Sequence, residues 1–322
     1  GRAQRHADPA RGRHRVGSPM LNNKSSFTNT QILAWLEYFS KKAGLDIEKI
    51  KLIDISKKQK NLIPTIETHK RVLVFADAGD PNFFFNLWDY GLGDCDIWFK
   101  TGLNPEGSVN ICKLSEMINT EITGPSVMLI FNPHSRSSYR IGMQNDNFSQ
   151  GSVRYVASEI RSIIVNKLHL DDQDTICIIS GESIAVESAM IASDGQIIAV
   201  EYNKHDRFSM EENINKFGLT NVTIVEDTSR RSMRALPVPS LSFIVATERF
   251  EKEVQNLLKI NPQMKFVVYT LELDILSSIL RIFEKYHISR TEVIQIAMSK
   301  LNRKNVFEAK PAPWNISGEV SE

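Results

Sequence analysis

Cysteine is scarce in this chain, and its spacing excludes as much as its number. Cys95, Cys112 and Cys177 are odd in number and far apart, and none forms a C-x-x-C pair. That argues against a disulfide framework and a structural zinc. Cys95 and Cys177 sit in or beside apolar runs, where a free cysteine serves as a small hydrophobe. No apolar run approaches the roughly 20 residues of a membrane-crossing helix. Together these lead us to expect a cytoplasmic protein. Excess charge is also lacking, with 39 basic against 38 acidic residues. The first nineteen residues differ from the rest, holding Arg2, Arg5, Arg11, Arg13 and Arg15 against one acid, Asp8, without apolar periodicity. Met20 follows, so residues 1–19 read as an expression-derived leader outside the fold. A basic nucleic-acid arm is the alternative. Taking five from 39 and one from 38 leaves 34 basic and 37 acidic residues, a balance of −3. A general nucleic-acid binder would need a clustered basic excess. No Ser-His-Asp arrangement, zinc spacing, phosphate loop or internal repeat stands out.

What is present is an ordinary globular composition, 42% apolar and 24% charged, with length for two domains. In order, periodicity predicts a helix over 30–43 ending at Gly44, a strand over 50–55 and a helix over 57–68 interrupted at Pro64. A buried strand over 71–76 leads through Asp80, read as an N-cap, and Pro81 into a helix presenting Phe83, Phe84, Leu87 and Trp88 to the core. Strand 95–99, helix 111–120 and strand 126–131 complete an α/β layer. Residues 132–150 turn to Ser, Asn, Arg and Gln and read as a linker. A helix over 153–168 follows.

The chain is organised around Asp174–Asn203. An apolar strand, a short Ser180-Gly181 turn, a helix, a second apolar strand and Glu201 form the unit that binds a nucleoside. The turn presents backbone N–H groups, and the acid accepts from ribose hydroxyls. The glycines that let backbone approach a ligand are nearly absent, Gly181 standing alone. Further βα units run to Tyr286. Segments 292–299 and 314–319 have too short a connection for a helical crossover and must pair antiparallel. The expected fold is therefore α/β, with a seven-stranded sheet, last strand antiparallel, preceded by a smaller α/β domain.

Several segments resemble a known family. Glu159-Ile-Arg-Ser, Lys167-Leu-His-Leu, Ala185-Val-Glu-Ser-Ala, Gly195-Gln-Ile-Ile-Ala-Val-Glu201 and the closing Val306-Phe-Glu-Ala with Ile316-Ser-Gly318 are similar to the decarboxylating methyltransferase of corrin (cobalamin) biosynthesis, which acts on precorrin-6 intermediates. Asp77-Ala-Gly-Asp-Pro81, Tyr90-Gly-Leu-Gly-Asp94 and Pro125-Ser-Val-Met-Leu-Ile130 resemble the second half of its fusion partner, a tetrapyrrole methylase. The resemblance implies a class I methyltransferase domain over 151–322, the second half of a tetrapyrrole methylase over 20–131, S-adenosylmethionine as cofactor and a corrin precursor as substrate. As a partner it implies a second copy or another corrin-pathway enzyme. It assigns Ser180, Gly181, Glu201 and Asp227 to the cofactor.

The departures matter equally. The partner's first half is absent, the family's Gly-x-Gly-x-Gly turn reads Ile179-Ser-Gly-Glu-Ser183, and the turn after the fourth strand reads Ala246-Thr-Glu-Arg249. Glu182 would repel a methionine carboxylate. A non-catalytic relative binding a tetrapyrrole or a protein is therefore the rival reading. Arg230, Arg231 and Arg234 after the third strand, and Lys300, Arg303 and Lys304 before the last, suit substrate carboxylates, though solvated basic loops look the same. No catalytic acid or base stands out. Glu187 reads as a solvated helix face, Asp227 also as a cap, His134 and His205 as surface residues, and the four tryptophans as core.

Overall fold

The computed structural model describes residues 24–136, 142–149, 151 and 156–320. The expected leader, part of the linker and the start of the helix expected from 153 lie outside them. Helix α1 (Asn29–Ala43) opens with a capping box, Thr28 Oγ1 accepting from Gln31 N while Thr28 N donates to Gln31 Oε1. It ends where Gly44 takes a left-handed conformation. Its buried Trp35 and Phe39 pack on Leu73, Phe75, Val127 and Leu129 of the first sheet. That sheet comprises β1 (Lys51–Asp54), β2 (Arg71–Ala76), β3 (Asp96–Thr101), β4 (Asn110–Lys113) and β5 (Ser126–Phe131), in the order β1-β2-β5-β3-β4. Helices α2 (Leu62–Thr68) and α3 (Phe83–Leu87) connect it.

Four local expectations are corrected. The helix expected over 57–68 begins only at Leu62, which puts Pro64 in the first turn, where a missing N–H costs nothing. Asp80 does not cap α3 directly. It accepts from Asn82 N and Asn86 Nδ2, and the helix starts at Phe83. Residues 110–113 form strand β4, not a helix, because pairing with β3 supplies their hydrogen bonds. Trp88 is 44% exposed and is not core.

The second sheet holds β6 (Thr175–Ile179), β7 (Gln196–Val200), β8 (Val222–Val225), β9 (Leu241–Val245), β10 (Lys265–Thr270), β11 (Ile288–Gln295) and, after the hairpin β12 (Ser299–Leu301) and β13 (Phe307–Ala309), β14 (Trp314–Val320). Their order is β11-β14-β10-β9-β6-β7-β8. The pairs among β6 to β10 are parallel, while β14 runs antiparallel to both β10 and β11. This is the expected seven-stranded sheet. Helices α4 (Ser158–Leu168), α5 (Glu182–Ile191) and α6 (Lys204–Phe217) share one core with Ile176 and Ile178 of β6. Helices α7 (Arg230–Met233), α8 (Phe250–Ile260) and α9 (Leu273–Lys285) share the other with Cys177 and Ile179. Alternation along a strand buried on both faces explains the unbroken run of apolar residues.

The two sheets are joined through α2. Asn61, 4% exposed, donates to Ala189 O at 3.1 Å and Asn221 Oδ1 at 3.0 Å and accepts from Thr220 N at 2.8 Å. Tyr90 donates its hydroxyl to Asn215 O, and Lys58 and Lys60 flank Asp194. The first sheet thus rests against the α5–α6 side of the second.

Candidate functional site

The parallel strands β9, β6, β7 and β8 end side by side, which brings the turn after β6 next to Glu201 after β7. Ser180 holds φ +58°, a conformation the chain would ordinarily give to glycine, and its N–H donates to Val200 O at 3.1 Å. That donor is therefore already used. Gly181 has a packing reason to be glycine. A Cβ there would meet Ile178 Cγ2 at 2.9 Å and Phe243 Cδ1 at 3.1 Å.

Helix α5 begins at Glu182, whose carboxylate occupies the end of the helix that favours anions. Glu182, Glu201 and Asp206 are all buried, at 7, 1 and 4% exposure. Asp206 is the third residue of α6, after the N-cap Asn203, whose side chain accepts from Asp206 N. Burial pushes Glu201 up to about 8, with Glu182 and then Asp206 adding repulsion. Burial pushes Glu182 to about 7, Asp206 adding to it and the Gly151 N–H opposing it. Glu182 Oε1 has no hydrogen-bond partner among the described residues. Gly151 lies so close that a Cβ would overlap this oxygen. Glu182 thus leaves no free donor for a carboxylate at the start of α5, while Glu201 keeps the acid that would accept from ribose hydroxyls. Among the described residues no group of three or more His, Cys, Asp and Glu side chains is arranged to hold a metal ion.

The other side of the β6 end is bridged as well. Arg249, after β9, stacks 4.5 Å from the ring centre of Tyr202, after β7. The Tyr202 hydroxyl donates to Glu253 Oε1 of α8 at 2.5 Å, and burial pushes Glu253 to about 7. Sequence reading missed Asp206, Gly151 and this bridge. Asn203-x-x-Asp206 was a readable cap-and-third-residue pattern, whereas the bridge joins residues far apart in the chain.

Glu187, expected on a solvated face, is fully buried and corrects that reading. Its Oε1 accepts from Arg161 Nε and Met143 N, each at 2.9 Å, and Arg161 is equally buried. Asp227 Oδ1 accepts from Ser229 N and Ser232 Oγ, which tie it to the start of α7, and the Ser229 and Ser232 side chains, with the Ser229 N–H, hold its pKa below the usual range. Arg230, Arg231 and Arg234 are exposed beyond it. Lys300 and Arg303 are not beside them. They belong to the hairpin that follows β11, at the other end of the strand order from β8, and Lys300 pairs with Glu159 at 2.7 Å. His134 lies 4.0 Å from Asp94, and both are exposed.

A pH dependence follows. Folded-state pKa values raised above the ordinary 4.5 contribute stability that is complete below that value. It is lost as pH rises through about 7 for Glu182 and about 8 for Glu201. The fold is expected to lose on the order of 2 kcal/mol per carboxyl between about pH 5 and pH 9. Thermal melts of Glu201→Gln should show a flatter pH profile. An unchanged slope in that variant would remove the carboxylates as its cause.

No family model and no curated protein matches the chain. Solved structures do. A precorrin-6Y C5,15-methyltransferase from Geobacter metallireducens aligns with 24% identity and a TM-score of 0.53 over 57% of this chain and 99% of that one. The C-terminal domain of the Rhodobacter capsulatus enzyme aligns with 19% identity and a TM-score of 0.48 over 56% and 100%. A precorrin 8W decarboxylase from Methanobacterium thermoautotrophicum aligns with 14% identity and a TM-score of 0.48 over 55% and 100%. No helix among the described residues is long and apolar enough to cross a membrane. The second sheet and its helices have the Rossmann-like fold of class I methyltransferases.

Proposed function

We propose that this chain is a non-catalytic relative of the corrin-pathway methyltransferases, a scaffold that binds a carboxylated tetrapyrrole and does not take S-adenosylmethionine. The observation that carries this reading is Glu182. It is buried, has an oxygen without a hydrogen-bond partner among the described residues, and is grouped with buried Glu201 and Asp206 beside the turn after β6. Calorimetric titration with S-adenosylhomocysteine tests it.

The rival is an active methyltransferase, methylating a precorrin-6 intermediate with loss of an acetate carboxyl. The acid retained at the end of β7 favours it, as does the fold shared with the Geobacter precorrin-6Y enzyme. Ser180, Gly181, Glu201 and Asp227 would then hold the cofactor.

On the scaffold reading the tetrapyrrole binds through Arg230, Arg231 and Arg234, whose planar forks match carboxylates in pairs. Helix α7 starts at Arg230 on the Ser229 cap, so the first two arginines sit on a fixed turn. An Arg230→Glu, Arg231→Glu double substitution is expected to weaken binding of a carboxylated porphyrin at least about tenfold. Fluorescence quenching titrations read this, and an unchanged affinity removes the assignment.

A further inference from the structure

The first sheet opens into a fork at one end. Strands β3 and β4 pair from Asp96–Lys113 to Phe99–Asn110. Strand β3 then runs on to Thr101 beside β5, while the chain before Asn110 parts from it. In the fork lies a cavity of about 530 Å³, at the sheet edge that β4 forms. Small-molecule sites occupy roughly 300–1,000 Å³. This one belongs to the first sheet and is separate from the carboxyl cluster after β6.

Its walls differ in chemistry. Phe99 and Asn110 stand directly opposite each other and share a face of the sheet. The Phe99 ring is held at 87° to Phe84, with 5.6 Å between centres, and Met117 lies beside Asn110. Phe99 and Met117 supply the apolar wall. Among the described residues Asn110 Nδ2 donates to sulfur alone, Met117 Sδ at 3.6 Å and Cys112 Sγ at 3.9 Å, both weak acceptors. Lys100 starts from the other face of the strand and lines the cavity because the β3–β4 ladder has already ended. Its Nζ donates across the fork to Ser108 O at a long 3.3 Å. Gly107, at φ +78°, leaves the amine room, since a Cβ there would lie 3.1 Å from Nζ. Among the described residues Lys100 has no ion-pair partner, and no acid lines the cavity.

We propose that this cavity binds a small aromatic acid of one or two rings, its ring against Phe99 and Met117 and its carboxylate on Lys100 and the Asn110 amide. An ammonium without an acid and an amide given to sulfur both gain a strong acceptor from a carboxylate. A flat ring over Phe99 gains an aromatic contact and takes apolar surface out of water. A neutral ligand would leave Lys100 unanswered, and a cation would be repelled by it. Thr101 and Thr120 add hydroxyls that either donate or accept, which suits ring substituents of both kinds.

Ligand-observed NMR and calorimetry on the full chain test this, with indole-3-acetate and benzoate as probes. Saturable binding of at least one of them is expected, with a submillimolar dissociation constant. The neutral amide of the acid that binds should bind at least about tenfold more weakly. Lys100→Met should weaken the acid by a similar factor and leave its amide unchanged, a split that damage to the fold would not give. Asn110→Ala, at an exposed position, should also weaken the acid while the melting curve stays in place. No saturable binding of either probe up to about 10 mM overturns the proposal. So does an affinity for the acid that is equal in Lys100→Met and in the unaltered chain.

Discussion

Titration of the chain with S-adenosylhomocysteine is expected to show no saturable binding below about millimolar ligand. Three features combine. The N–H of Ser180, in the turn after β6, is already given to Val200 and is not free for a ligand. The anion-favouring start of α5 is taken by Glu182, so the ligand's carboxylate would meet a buried carboxyl in place of free donors. Gly151 lies against the same carboxyl and would have to move. Together these remove about 3–5 kcal/mol from the roughly 8 kcal/mol of a micromolar site. Hydrogen bonds accepted by Glu201 and Asp227 return about 1–2 kcal/mol, which does not offset the loss. A dissociation constant at or below tens of micromolar would show that the turn opens, and would restore the enzyme reading.

Replacing Glu187 by alanine is expected to destabilise the fold by about 3–5 kcal/mol, the cost of leaving a buried charge without its partner. Arg161 lies wholly inside the protein. Besides Glu187 it donates to Met143 O, Asn145 Oδ1 and Val156 O, and its guanidinium lies 4.8 Å from the Phe148 ring centre. Removing Glu187 also deprives Met143 N of its acceptor. The two losses fall on one segment, residues 142–149, which this pair ties to α4 and α5. An Arg161→Met, Glu187→Leu double variant should recover most of the stability, because it removes both charges. Urea unfolding of the three proteins decides the matter. A midpoint for Glu187→Ala that implies less than about 1 kcal/mol of loss would mean that the guanidinium finds other partners.

The second sheet was legible because its signals are local. Five apolar runs separated by helix-period stretches give parallel strands with crossovers. The connection between the segments expected over 292–299 and 314–319, read as too short for a helical crossover, gave the antiparallel return. Helix α1 was equally plain, since the spacing of Ile32, Leu33, Leu36 and Phe39 and the stop at Gly44 lie within the chain itself, whereas its capping box at Thr28 and Gln31 was not read. The β4 misreading has the same root. Ile111 to Met117 has helical spacing, and only the neighbouring β3, whose presence sequence spacing does not reveal, makes Asn110–Lys113 a strand.

The sequence alone determined that Glu201 ends a strand beside a glycine-poor turn, and that Glu182 stands where an anion would be received. Tertiary structure decided how those acids live. Solvent exposure depends on what covers a residue, and here the covers come from elsewhere in the chain: Gly151 over Glu182, Asp206 beside Glu201, Arg249 over Tyr202. For the same reason Glu187 looked like a surface residue. Its helix is buried over residues 182–190, so the alternation of polar and apolar positions that marks a half-exposed helix carried no information there.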